Sequence, residues 1–191
     1  MTSELLFTGP ELCKFEAHEV VALLKAREIS SSDLIDAALT RIAQTGPLIN
    51  ATPTLCEARA RAVDLSSRDS TPAGWLAGLP ITIKDLNAVA DVRTTFGTKG
   101  LAGFIPQKSD PLVDQLEQRG AVILGKTNTP EFGAGGNTFN DVFGQTRNPW
   151  NTALNPGGSS GGAAASLAAG EIWLSHGSDH GGSLRTPAAY C

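Results

Sequence analysis

Residues 155–189 read NPGGSSGGAAASLAAGEIWLSHGSDHGGSLRTPAA, and the glycine and serine clusters within this stretch restrict the fold more than any other feature. One cluster is Gly157-Gly158-Ser159-Ser160-Gly161-Gly162; the other is Gly181-Gly182-Ser183. Runs of this kind allow very close backbone approach. The same composition suits a flexible linker. A linker, however, does not sit between a Trp-containing loop and an apolar, alanine-rich helix. The clusters are therefore expected inside a packed domain.

The chain has 191 residues, 41% of them hydrophobic and 18% charged, which indicates a globular core rather than disorder. A formal net charge of -4 and the lack of a basic stretch argue against a nucleic-acid binder. The cysteines, Cys13, Cys56 and Cys191, are odd in number, far apart and not in CxxC form. They point to a reducing compartment and no metal cage. The start, MTSELLFTGPELCK, lacks the basic region and apolar run of a signal peptide. No apolar run approaches the roughly 18 residues that span a bilayer. The expectation is a cytoplasmic protein without a membrane partner.

Residues 17–45 read as two helices, with apolar stripes at Val20, Val21, Leu23, Leu24 and at Leu34, Ile35, Ala38, Leu39, Ile42. Ser30 to Ser32 supply the second N-cap, and Gly46-Pro47 is expected to stop that helix. Residues 54–69 read as a third helix. The pattern then changes. Residues 79–83 read as a strand, and Asp110 to Arg119 as a helix with Asp110 as N-cap and Pro111 at the first helical position. Residues 121–124 read as a buried strand, 162–169 as a small-residue helix and 172–174 as a further strand. Strands alternating with helices predict an α/β fold with a mixed, largely parallel sheet. The expected division is a helical segment over 1–72, packing on a core domain over 73–191.

Two motif matches mislead. Gly120-Ala-Val-Ile-Leu-Gly125-Lys126-Thr127 satisfies the P-loop expression. Its intervening residues are themselves strand, so they cannot wrap a phosphate, and Thr129-Pro130 breaks the helix that should follow. Gly157-Gly158-Ser159-Ser160-Gly161 satisfies the nucleophile-elbow expression. The strand that should precede it is replaced by a loop with two prolines, Pro149 and Pro156. The late histidines are His176 and His180. Asp179 adjoins His180, and neighbouring side chains point apart, which makes a poor base and orienter pair.

A different chemistry fits better. Consecutive glycines at Gly181-Gly182 free the backbone to aim its N–H groups at one point, as an oxyanion hole requires. Ser183 follows at once and can present its hydroxyl there. Lys84 ends an otherwise apolar strand. Burial without a carboxylate partner lowers a lysine's pKa and leaves some of it as a neutral general base. Asp85 should face the opposite side of the strand, away from Lys84.

With these residues in view, the chain resembles the amidase signature family. The matching motifs are Gly78-Leu-Pro-Ile-Thr-Ile-Lys84-Asp85, Gly125-Lys-Thr-Asn-Thr-Pro-Glu-Phe-Gly133, Thr146-Arg-Asn-Pro-Trp-Asn151, Pro156-Gly-Gly-Ser-Ser-Gly-Gly162 and Gly177-Ser-Asp-His-Gly-Gly-Ser183. They follow in family order and cover about residues 15–191. The resemblance implies a Ser-cisSer-Lys triad of Lys84, Ser159 and Ser183, with the Gly158–Ser159 peptide cis. It implies an oxyanion hole from the N–H groups of His180, Gly181, Gly182 and Ser183, and supporting roles for Ser160 and Asp179. Arg185 also matches a family position, as a structural residue.

The implied activity is hydrolysis of a small carboxylic amide to the acid and ammonia or amine, with no cofactor and no metal. A homodimer is an open partner expectation. His180 departs from the smaller or aliphatic residue expected before the glycine pair. Family members are also far longer, so the chain reads as an N-terminal portion whose sheet is incomplete at the C-terminal side. Two alternatives stay open: the amide-hydrolysing component of a glutamyl-tRNA amidotransferase, which passes ammonia to a partner subunit, or an inactive fragment. Residues 133–137 and the Trp173 region read more like stand-alone amidases.

Overall fold

The computed structural model describes residues 8–191. The first seven residues, with which the expected helical segment and the assessment for a signal peptide begin, lie outside the described residues. The element order is α1 (Ala17–Ala26), α2 (Ser31–Ile49), β1 (Thr54–Leu55), α3 (Glu57–Arg61), β2 (Pro80–Lys84), α4 (Pro111–Gln118), β3 (Val122–Thr127), β4 (Phe139–Asn140), β5 (Gly144–Gln145), α5 (Gly161–Ala168) and α6 (Arg185–Tyr190). Strands β1, β3 and β2 form one sheet in that order, and β4 and β5 form a small hairpin. The β2–β3 pair is parallel and the β1–β3 pair antiparallel. The sheet is thus mixed, with helices packed on it, and the fold is α/β.

The two front helices form where capping and periodicity agree. Ser30 is the N-cap of α2: its hydroxyl accepts from the Asp33 N–H at 3.2 Å, and its own N–H donates to the Asp33 carboxylate at 2.7 Å. Val20, Leu24, Leu34, Ile35, Ala38 and Ile42 from these helices enter one core cluster with Ile81, Ile83, Val122, Ile123 and Leu124 of the sheet.

Helix α2 does not stop at Pro47. It continues to Ile49 and ends at Asn50, whose left-handed φ of 49° lets its N–H reach Gly46 C=O at 2.9 Å. In this last turn Pro47 removes only its own donor. Ile49 then gains burial against Ala51, Ala165 and Ala169, which holds the extra turn in place.

The helix expected over 54–69 is replaced by strand β1 and the five-residue α3. The exposed edge of β3 captures the chain first. Thr54 pairs with Lys126, Leu55 pairs with Gly125, and Cys56 N–H donates to Leu124 C=O at 2.9 Å. Gly125 makes this approach possible, because a Cβ there would lie 2.6 Å from the Thr54 carbonyl oxygen. The segment before residue 73 therefore supplies a strand as well as helices.

The expected strand over 172–174 is a single parallel bridge, Thr82 with Ser175. Thr82 N–H donates to Leu174 C=O at 3.3 Å, and His176 N–H donates to Thr82 C=O at 2.8 Å. Ile172 and Trp173 are buried in the core, and Trp173 Nε1 donates to Leu12 C=O at 3.1 Å. The chain therefore runs beside β2 only after these side chains are seated. Asp110 precedes α4 with Pro111 at its first turn, but its carboxylate makes no cap bond. It accepts instead from Asn87 Nδ2 at 2.8 Å and Ala88 N–H at 3.2 Å.

Helix α5 is the element that positions the glycine–serine cluster. Gly161, Gly162, Ala163, Ala165 and Ser166 are buried in it. A Cβ on Gly162 would overlap the backbone of Asn128 and the carbonyl of Ala51, so only glycine lets α5 lie this close to the strand ends. Among the described residues no helix is long and apolar enough to cross a membrane.

Candidate active site

Three elements meet at the C-terminal end of β2. The strand ends in Lys84, whose side chain is fully buried. The start of α5 brings Ser159 and Ser160, both buried, and the loop after the β2 bridge brings Ser178. Lys84 Nζ donates to Ser159 Oγ at 2.7 Å, to Ser160 Oγ at 2.8 Å and to Ser178 Oγ at 3.1 Å. An ammonium has three donors, and all three are satisfied by neutral hydroxyls rather than by a carboxylate. Burial pushes the Lys84 pKa down to about 8, against the opposing pull of the Asp179 charge.

The Gly158–Ser159 peptide is cis, as the resemblance implied. Gly158 packs tightly on the loop at 136–137: a Cβ there would lie 2.8 Å from the Asn137 nitrogen. Ser160 stitches the two glycine–serine clusters together. Its hydroxyl donates to Ser178 C=O at 3.1 Å and accepts from Ser178 N–H at 3.2 Å, while its N–H donates to Ser183 C=O at 3.1 Å. Ser183 is thereby held beside Ser160 through its backbone. Among the described residues no hydrogen bond joins the Ser183 and Ser159 hydroxyls.

Asp179 organises the turn that carries Ser183. It accepts from the N–H groups of Gly182 at 2.7 Å, Leu184 at 3.0 Å and Arg185 at 3.2 Å, and from Arg185 Nε and Nη2 at 3.0 Å each. The Arg185 guanidinium, with these N–H groups, holds its carboxyl far below the usual carboxylate range. Of the four N–H groups expected to face an oxyanion, that of Gly182 is thus committed to Asp179. Those of His180, Gly181 and Ser183 have no hydrogen-bond partner among the described residues. Asp179 serves Arg185 rather than His180, and His180 is exposed. His176 Nδ1 is buried without a partner, and burial, with the Lys84 charge, lowers the His176 pKa.

Two contributions were not found from the sequence. Ser178 completes the Lys84 donor set, and its place directly before Asp179 in the second motif was the available signal. The other is a buried pair on the far face of the same strand end. Lys126 Nζ donates to Asp85 Oδ1 at 3.0 Å, to Asn87 C=O at 2.8 Å and to Thr94 Oγ1 at 2.9 Å. Asp85 also accepts from the Thr95 hydroxyl at 2.6 Å. Asp85 faces away from Lys84, as strand alternation predicts, and Lys126 neutralises it. The P-loop-like match is accounted for at the same time: Gly125 and Lys126 lie within β3, and the lysine is a buried ion-pair partner. Among the described residues there is no group of three His, Cys, Asp or Glu side chains that could hold a metal ion.

The arrangement matches known proteins closely. The amidase-type (GatA) component of glutamyl-tRNA(Gln) amidotransferase from Dehalococcoides mccartyi is 43% identical over 184 residues, covering 95% of this chain and 38% of that protein. Its counterpart from Synechococcus is 44% identical over 172 residues, covering 88% of this chain and 35% of that protein. Among solved structures, 6-aminohexanoate cyclic dimer hydrolase complexed with substrate superposes with a TM-score of 0.84 at 33% identity, covering 94% of this chain and 37% of that one. A bacterial aryl acylamidase of the amidase signature family superposes with a TM-score of 0.83 at 36% identity, covering 92% of this chain and 37% of that one. The chain spans less than two fifths of the length of these relatives. The family model described as Amidase matches residues 33–191. This chain belongs to the amidase signature family.

Proposed function

We propose that the chain carries the acyl-transfer centre of a serine amidase, with Lys84 as base, Ser159 as proton relay and Ser183 as nucleophile. The observation that carries this reading is the buried Lys84 Nζ, 2.7 Å from Ser159 Oγ and paired with no carboxylate. A neutral Lys84 has two N–H donors and one lone pair. The Ser160 hydroxyl hydrogen is committed to Ser178 C=O. Of the two remaining serines on Nζ, Ser159 is the nearer, so its hydrogen is the one that turns to the lone pair.

In the proposed reaction Lys84 takes the Ser159 proton and Ser159 takes the Ser183 proton. Ser183 Oγ forms a bond to the amide carbonyl carbon. The N–H groups of His180, Gly181 and Ser183 stabilise the oxyanion, and that of Gly182 joins them if Asp179 releases it. The C–N bond then breaks, and the proton passes back through Ser159 to the leaving amine. Water repeats the sequence on the acyl-enzyme and regenerates Ser183. Ser160 and Asp179 hold the two serine segments in register. The substrate is a small carboxamide, and the chemistry uses protein groups alone. A homodimer and the division into a segment over 1–72 and a core over 73–191 belong to the same proposal.

A second reading is favoured by the amidotransferase components among the relatives. There the same centre would deaminate glutamine and pass the ammonia to a partner protein. Glutamine hydrolysis that appears only when such partners are added would select it.

The test is covalent. The chain is treated with a fluorophosphonate and the adduct located by mass spectrometry. A Ser183 adduct that is lost in Lys84→Ala supports the centre. An adduct on another serine, or one undiminished in Lys84→Ala, overturns it.

A further inference from the structure

We propose that Glu171 is a proton-dependent clasp: held as the neutral acid, it donates from Oε1 to Thr45, accepts at Oε2 from Thr52, and so ties the C-terminal end of α5 to α2. Glu171 takes no part in the proposed chemistry, and its burial is complete. Thr45 Oγ1 lies 2.6 Å from Glu171 Oε1 and 2.9 Å from the Arg41 carbonyl oxygen. Thr52 Oγ1 lies 3.0 Å from Glu171 Oε2. Both threonines are themselves buried.

The proton count decides the arrangement. A threonine hydroxyl carries one hydrogen, and a backbone carbonyl carries none. When Thr45 gives its hydrogen to the Arg41 carbonyl, as helical threonines do to the preceding turn, the contact with Glu171 needs a hydrogen from the carboxyl. Thr52 then donates to the other carboxyl oxygen. A neutral acid, with one donor and one acceptor, matches the two hydroxyls and leaves no buried charge to desolvate. An ionised carboxylate in the same place would bury a full charge behind two neutral hydroxyls.

The groups around Glu171 agree with this. Burial raises its pKa to about 7, while Thr45, Thr52 and the Arg41 charge pull it the other way and are outweighed. Arg41 is the charged group acting on it from α2. The 50–53 segment and α5 carry no ionisable side chain. Cys191, packed on the neighbouring Ile49, Ala165 and Ala169 cluster, has its thiol pushed up to about 11 by burial and stays neutral throughout.

The position of the clasp gives it leverage. Glu171 N–H donates to Ser166 C=O at 2.8 Å, closing the end of α5, and Arg41 Nε donates to Ala169 C=O at 2.7 Å. The other end of α5 is capped by Ser160, which holds Lys84 and Ser178. The clasp therefore anchors the helix on which the serine cluster is mounted. The folded chain binds the Glu171 proton more tightly than the unfolded chain. Stability is thus highest below the ordinary carboxylate range, falls as pH rises toward about 7 and levels off above it.

The experiment uses the 191-residue chain and does not depend on amidase activity. Infrared spectra are taken from about pH 6 to pH 8, and urea unfolding from about pH 4.5 to pH 8, on the natural chain, Glu171→Gln and Thr45→Val. The expected result is a protonated-carboxyl carbonyl stretch at pH 6 that fades toward pH 8, is absent in Glu171→Gln and is weakened in Thr45→Val. The folding equilibrium constant of the natural chain should fall by up to about tenfold per pH unit in the window below pH 7. Glu171→Gln should lack that fall. A carboxylate signature alone at pH 6, or an unchanged pH slope in Glu171→Gln, overturns the proposal. If Glu171→Gln does not fold, the infrared signature of the natural chain decides by itself.

Discussion

Lys84 Nζ lies 2.7 Å from Ser159 Oγ, while Asp85, the next residue in the chain, is turned through the strand onto Lys126 at 3.0 Å. Two lysines and one carboxylate therefore divide into two separate buried networks. The ion pair takes the carboxylate, and the hydroxyl cluster takes the lysine whose charge is easiest to remove. Strand alternation at the end of β2 makes this division, since consecutive side chains leave opposite faces.

Replacing Lys84 by Met keeps the buried stem and removes the base. Fluorophosphonate reaction at Ser183 should slow by about 10²–10⁴-fold, with far-UV circular dichroism unchanged. A rate equal to that of the natural chain would remove Lys84 from the mechanism.

The pH profile follows from the same residue. Its ordinary value near 10.5 is pushed down to about 8 by burial. Below about pH 8 the ammonium cannot accept a proton, so Ser183 labelling should rise with pH and level off above that point. Stability should also rise between about pH 8 and 10.5, because the unfolded chain holds the proton there and the folded chain does not. Both effects should vanish in Lys84→Met.

Lys126→Met leaves the Asp85 carboxylate buried without its cation. The expected loss is about 3–5 kcal/mol in urea unfolding. Adding Asp85→Asn should recover part of it, because the stranded charge is then gone. A single variant as stable as the natural chain would mean that Asp85 finds another partner.

Gly162→Ala tests the close contact of α5 with the strand ends. The new methyl overlaps the Asn128 backbone and the Ala51 carbonyl, and neither is a flexible side-chain tip. A loss of about 1–3 kcal/mol is expected. Gly136→Ala is the control: nothing lies within 4 Å of its added Cβ, so its melting midpoint should barely move.

The elements legible in the sequence were those carried by local chemistry. Ser30 with Asp33, Pro111 after Asp110, and the apolar run before Lys84 all act within a few residues of where they stand. The misread elements were decided by contacts distant in the chain. Thr54 and Leu55 sit in a helix-like composition but answer to the open edge of β3, some seventy residues later. Pro47 reads as a stop, yet Ile49 gains its burial from Ala165 and Ala169 on α5. Ile172 and Trp173 look like a strand and spend their side chains on the core instead.

The candidate site divides in the same way. Lys84, Ser159, Ser160, Asp179 and Ser183 stand out in the sequence because glycine pairs and a lysine ending an apolar strand are chemically unusual. Ser178 on Lys84, Lys126 on Asp85 and Gly182 N–H on Asp179 are pairings, and a pairing depends on which donor reaches which acceptor. The sequence by itself determined the residue types and the alternation that separates Lys84 from Asp85. Only the tertiary structure decided which hydroxyls surround the amine and which carboxylate is neutralised. Burial removes water as the competing partner, and every buried polar group must then take the partner that packing places within reach.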